Sequence, residues 1–177
     1  LSVRINGNGV FHTMLQLALP AAVRQTNQFF ARAFVRVDQT PGNGHFVWIE
    51  AGTTANDSHE IRFGSNIGLL QINQFGGPNG GDRDIRDRGR QLVANEWHCI
   101  EIFFDGAPET MQVFMDEQET ALSTTNFTAQ RPNSEGNGTA LNDWMPPFDA
   151  IRFGWELQGN TIWYDEIALG SSRIGCN

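Results

Sequence analysis

The chain has 177 residues, 40% of them apolar, and a formal net charge of −8 at neutral pH. That length suffices for one domain with a real core, expected to span residues 1–177, and an acidic balance excludes the basic face that nucleic acid requires. No apolar run approaches the roughly 20 residues of a membrane-spanning helix, so a membrane partner is not expected either.

All twelve basic residues are arginine, which excludes a Schiff-base lysine and a phosphate-gripping P-loop lysine. The chain starts at Leu1, with neither an initiator methionine nor a secretory signal, and is read as a mature product or a fragment.

Leu1 to Ile5 and Val10 to Leu17 both alternate around Gly7-Asn8-Gly9, which predicts an opening hairpin. Phe29 to Val37 sets Phe29, Ala31, Ala33, Val35 and Val37 on one face and Phe30, Arg32, Phe34 and Arg36 on the other. Pro41 to Gly44 is a turn signal, and His45 to Glu50 reads as a strand. Two short strands follow. His59 to Phe63 places Ile61 and Phe63 opposite Glu60 and Arg62, and Leu69 to Gln74 places Leu70 and Ile72 opposite Gln71 and Asn73.

Phe75 to Gly89, glycine-rich and then densely charged, is expected to be a long loop. Trp97 to Phe104 is a strong strand, with Asp105-Gly106 as a turn and Met111 to Asp116 as its partner. Thr120 to Asn142 is polar and aperiodic, a surface excursion that ends at Pro146-Pro147. Phe148 to Cys176 reads as a closing hairpin about Gly159-Asn160. No helix is predicted. About ten short strands separated by turn signals imply an all-β fold. The expected architecture is a two-sheet antiparallel β-sandwich of jelly-roll, concanavalin-like form.

Cys99 and Cys176 fit no metal spacing and no CxxC motif. A disulfide between them is favoured over two free thiols; it would stabilise by about 4 kcal/mol on a chain-entropy account and place the protein outside the cell. Sequons stand at Asn56, Asn126 and Asn137.

His12, His45, His59 and His98 form no HxH or HExxH pair, and no GxSxG elbow exists for a serine triad. Polar residues opposite the core face are the more telling feature, since Gln, Asn, Arg and Glu offer directional hydrogen bonds. A carboxylate pair is conceivable if Glu50, Glu60, Glu101 and Glu156 converge on one sheet, which nothing in their spacing demands. Eliminative cleavage of a uronate needs a group on the sugar carboxylate, a base and an acid. Arg62 with Gln71 or Asn73 suits the first task, and His45 or Tyr164 suits the others. Trp48 is the better stacking platform, because Trp155 shares parity with Ile151 and Phe153 and reads as core. Arg83, Arg86 and Arg88 belong either to a solvated charged loop or to a loop that offers arginines to an acidic sugar. Glu50, Glu60, Asn73 and Arg83 join Trp48 as expected substrate contacts.

The phrases NEWHCIEIFFDG, FGWE, IWYDEIAL, RIGC, and HEIRFG followed by LLQINQ resemble one group of proteins. These are secreted jelly rolls of cellulolytic fungi and bacteria, co-expressed with cellulases and related in fold to glucuronan and alginate lyases. The resemblance covers most of the chain from Val3 onward. It implies a concave carbohydrate groove on a two-sheet jelly roll and a structural calcium at which Asp165 matches the family's aspartate. It also implies pairing of Cys99 with Cys176. Arg62 and Gln71 match polar groove positions, and His45 matches less closely. The family's extra first strand, which supplies calcium ligands, has no counterpart here, and its tyrosine motif is not recognisable around Tyr164.

The expected function is therefore β-elimination on a uronate-containing polysaccharide by an extracellular, lyase-like protein. A non-catalytic carbohydrate-binding module and an assembly protein pairing through strand edges are the alternatives. The sequence leaves oligomeric state open.

Overall fold

A computed structural model describes residues 2–6, 13–40, 45–52, 59–66, 68–76, 82–123, 144–156 and 160–177, with the backbone alone at 45–48, 82–83 and 155–156. In chain order the elements are β1 (Val3–Asn6), β2 (Thr13–Ala18), α1 (Ala21–Thr26), β3 (Gln28–Val37), β4 (His45–Gly52), β5 (His59–Asn66) and β6 (Leu69–Gly76). They continue as β7 (Asp82–Asp87), β8 (Trp97–Asp105), β9 (Thr110–Met115), β10 (Gln118–Glu119), β11 (Ala150–Glu156) and β12 (Thr161–Gly170).

The strands form two six-stranded antiparallel sheets. The first has the order β1-β12-β3-β8-β9-β10 and the second β2-β11-β4-β5-β6-β7. Alternation on each strand decides what lies between them. Phe29, Ala31, Ala33, Val35 and Val37 of β3 are all buried, as the parity of that strand predicts, with Ile100, Ile102 and Phe104 of β8 beside them. The second sheet contributes Ile49, Ala51, Ile61, Phe63, Leu70, Ile72, Ile85, Ile151 and Phe153. At one end Phe148 closes over Phe29 and Phe104, with ring centroids 5.4 and 4.9 Å away.

Four sequence expectations are corrected. The first two strands are not a hairpin: β1 pairs with β12 in one sheet and β2 with β11 in the other. The closing segment divides in the same way, because β11 lies in the second sheet and β12 in the first. Both pairs face one core from opposite sides, and alternation reports a strand's buried face without reporting its neighbour. Within the expected charged loop, Asp82–Asp87 is a strand at the edge of the second sheet, with Ile85 buried opposite Ile72. Charges on both of its faces suit an edge strand that must not pair further.

The fourth correction is the helix α1. Pro20 precedes it, and Asn27 ends it in the left-handed region at φ 52°, donating its N–H to the Val23 carbonyl. Six residues are too few for a helical period to show in sequence. The sequons at Asn56, Asn126 and Asn137, together with His12, lie outside the described residues.

The chain end is fastened to the outer face of the first sheet. Cys99 and Cys176 form a disulfide with Cα atoms 5.9 Å apart. Glu101 accepts from the Ile174 amide at 2.6 Å, and Arg173 reaches Glu117 at 2.6 Å. Among the described residues no helix is long and apolar enough to cross a membrane.

Candidate functional site

On β5, Ile61 and Phe63 point into the core, so Glu60, Arg62 and Gly64 take the outer face of the second sheet. Strand register extends that face sideways. Gln16 stands opposite Arg152, Arg152 opposite Glu50, Glu50 opposite Arg62, Arg62 opposite Asn73, and Asn73 opposite Asp84. Each of the six strands contributes one polar residue, and the row runs roughly 24 Å at the usual strand spacing. Gln71, opposite Gly64, and Arg86, opposite Gln71, lie one row to one side; Glu60, opposite Phe75, lies to the other.

These are not solvated side chains. Glu50, Glu60, Arg62, Gln71, Asn73, Asp84 and Arg152 are each at most 8% exposed. Burial of so many polar groups is tolerable only when they are paired, and the centre of the row is an alternating charge cluster. Arg152 donates from Nη1 to Glu50 Oε1 and to Glu60 Oε1, the latter at 2.9 Å, and from Nε to Gln16 Oε1 at 2.9 Å. Arg62 donates from Nε to Glu60 Oε2 at 2.8 Å and lies 3.5 Å from Glu50 Oε2. Its guanidinium carbon sits 4.1 Å from the Phe75 ring centroid, a cation–π contact on its apolar side. Farther along, Arg86 and Asp84 approach to 2.6 Å.

Two arginines and two glutamates cancel when all are ionised, yet their environments differ. Burial pushes the Glu60 carboxyl up from 4.5 to about 7; neighbouring Glu50 adds to the rise and Arg62 opposes it. A group that titrates near neutrality can hold or release a proton at working pH. The Gln71 side-chain oxygen is buried without a hydrogen-bond partner among the described residues, an acceptor left for a hydroxyl.

The structure brings together Glu50, Glu60, Arg62, Gln71 and Asn73. His45 pairs with Asn66 at the start of β4, and Trp48 lies at the irregularity between Val47 and Ile49. Arg83 pairs with Gln74. These three belong to the same sheet, but their side chains lie outside the described residues, as do those of Trp155 and Glu156.

Tyr164 is not brought to this face. It belongs to the first sheet, is fully buried in the inter-sheet core, and donates its hydroxyl to the Gly154 carbonyl at 3.0 Å. Burial holds its pKa well above the ordinary phenol value. Glu101 is likewise elsewhere, gripping the chain end. Sequence reasoning missed Arg152, Gln16 and Asp84. For Arg152 the signal was present, since it alternates with the buried Ile151 and Phe153.

Asp165 lies on the first sheet, and its Oδ1 accepts from the Glu166 amide at 2.8 Å. Calcium takes six to eight oxygen ligands, whereas no cluster of three or more His, Cys, Asp or Glu suited to a metal exists among the described residues. The adjacent Glu166 carbonyl accepts from Arg32 at 3.0 Å. The described residues do not fit calcium at Asp165.

Similarity to known proteins agrees with this architecture. No curated protein matches the chain. Among solved structures it is similar to the cellulose-induced protein Cip1, with 22% identity, a TM-score of 0.63, and coverage of 85% of this chain and 70% of that one. It is also similar to the binding domain of botulinum neurotoxin DC in complex with SialylT, with 10% identity, a TM-score of 0.62, and coverage of 98% of this chain but 40% of that one. At such identities these structures share the fold. The model of the Cip1-like core domain of polysaccharide lyase-like proteins matches residues 1–172. The chain belongs to the Cip1-like, polysaccharide lyase-like family.

Proposed function

We propose that the outer face of the second sheet engages a uronate-containing polysaccharide outside the cell and cleaves it by β-elimination. The observation that carries this reading is the polar row from Gln16 to Asp84, one residue from every strand, with an ionisable cluster at its centre. A linear chain of hydroxylated rings needs an extended array of directional donors and acceptors. The family's polysaccharide lyase-like character and the disulfide support the substrate class and the compartment.

In this reading Arg62, Gln71 and Asn73 hold the uronate carboxylate and stabilise the charge that develops there. Glu50, Trp48 and Arg83 contact neighbouring sugars. A base removes the proton at C5, a double bond forms between C4 and C5, and the C4–O bond breaks with its electron pair on the leaving oxygen. An acid then protonates that oxygen. His45 is assigned to the first transfer, and Glu60, protonated on average half the time near pH 7, to the second. Tyr164, sealed in the core, takes no part.

A second reading is favoured by the engagement of Arg62 with Glu60 and Glu50. An arginine already paired with carboxylates suits a non-catalytic binding module. Incubation with glucuronan and with alginate decides. Release of unsaturated ends that absorb in the near ultraviolet, lost in Arg62→Ala, is the expected result. Retention on either glycan without product would replace the lyase with the binding module.

A further inference from the structure

The opposite face of the sandwich carries its own aromatic feature. On the outside of the first sheet, register aligns Arg4 with Trp163, Trp163 with Arg36, and Arg36 with Trp97. The two indoles of this alternating row are used differently. Arg4 and Arg36 both lie over the Trp163 ring, at 5.7 and 5.2 Å from its centroid, so Trp163 is a packing element. Trp97, at the end of the row, is 41% exposed, and no cation or ring stacks on it among the described residues.

A lone exposed indole needs no explanation. What distinguishes Trp97 is the cavity beside it, about 270 Å³, lined by Phe34, Trp97, Asp165 and Glu166. Two aromatic walls and two carboxylates are the pattern of a small-ligand site, apolar with a few polar groups that fix orientation.

We propose that this cavity is a second saccharide site that takes a neutral pyranose unit of a glycan chain. The C–H face of a pyranose ring covers the exposed indole, and its hydroxyls donate to the Asp165 and Glu166 carboxylates. Arg32 lies 3.4 Å from the exposed Glu166 carboxylate and offsets one of the two negative charges, so a uronate would still meet a net negative charge at this cavity. Charge thus assigns different sugars to the two faces. They lie on opposite sides of the sandwich, so one molecule can hold both at once and gain by avidity on a mixed cell-wall matrix. The inference stands independently of whether the polar row is catalytic.

The test is titration of the intact protein with cellohexaose, xylohexaose and mannohexaose, read by calorimetry and by the Trp97 indole N–H resonance. At least one hexaose should bind, shift that resonance, and lose tenfold or more in affinity in Trp97→Ala, with a smaller loss in Trp97→Phe. Because Trp97 is exposed, both variants should keep the wild-type melting temperature; the resonance shift in the unmodified protein decides if they do not. A saturating oligoglucuronate should not displace the neutral hexaose. The proposal is overturned if no hexaose binds, if binding leaves the Trp97 resonance unmoved, or if oligoglucuronate competes. Failure of oligoglucuronate to bind at all would count against the uronate reading of the polar row while leaving the Trp97 result to stand alone.

Discussion

The Tyr164 hydroxyl donates a 3.0 Å hydrogen bond to the Gly154 carbonyl, and the bond spans the core from the first sheet to the second. The ring packs edge-on against Phe153 at 5.8 Å. This is the environment of a structural tyrosine: its proton is held by a backbone acceptor, and burial opposes its ionisation. Tyr164→Phe removes the donor from a buried acceptor, a change that costs about 1–3 kcal/mol. Urea unfolding should show that loss while cleavage or retention of uronate polymers stays at the wild-type level. Loss of activity with stability intact would return Tyr164 to the chemistry.

The contrast between Tyr164 and Arg62 shows what was legible in the sequence. Strand parity placed Ile61 and Phe63 inward and Arg62 outward, and it grouped Arg62 with Gln71 and Asn73, all as found. Tyr164 sits in a strand, TIWYDEIAL, where residues of both parities are apolar or aromatic, so the period gives no face. Neighbour relations were less legible than faces. A Gly-Asn pair between two apolar runs is the same local signal whether the strands pair or cross to opposite sheets, and only long-range packing decides. Arg152 was missed for that reason: its role depends on β11 lying between β2 and β4, a placement the expected hairpin did not include.

Glu60 makes the polar face pH-sensitive. Its carboxyl titrates at about 7 in the folded chain against 4.5 when unperturbed. Between these values the folded state keeps a proton that the unfolded state has lost, so this group's contribution is complete below about 4.5 and falls as pH rises through about 7. Denaturation midpoints measured across that window should therefore fall with rising pH. Glu60→Gln, which cannot titrate, should flatten the slope whatever its effect on absolute stability. An identical slope in the variant would show that Glu60 is not the titrating group.

Arg152 separates two carboxylates that would otherwise face each other. Its Nη1 donates to both Glu50 and Glu60. Arg152→Met keeps much of the side-chain volume but leaves two buried acids with Arg62 as their nearby counter-charge. Breaking such a buried cluster on one side costs about 3–5 kcal/mol. The loss should be greater at pH 8 than at pH 5, where Glu60 is protonated and repulsion is absent. A double-mutant cycle with Glu60→Gln should recover part of it, since the two residues share one network. Additive effects would mean that Arg152 acts through packing alone.

Arg32 ties the chain end to β12. Its guanidinium is buried and donates to the Glu166 carbonyl at 3.0 Å and the Gly175 carbonyl at 3.1 Å, with the Glu166 carboxylate 3.4 Å away. Three contacts from one planar fork tie the irregular stretch of β12 to the tail that the Cys99–Cys176 disulfide also holds. The Glu166 carbonyl and carboxylate are engaged by Arg32 and the Asp165 Oδ1 by the Glu166 amide, so a cation beside Asp165 would have to displace these contacts. Addition of calcium or of a chelator should therefore leave the melting temperature unmoved. Arg32→Met should lower stability by about 2 kcal/mol, the scale of hydrogen bonds from a charged donor. A melting temperature that rises with calcium in the wild-type protein would overturn this assignment, since it would require ligands that Arg32 does not pre-empt.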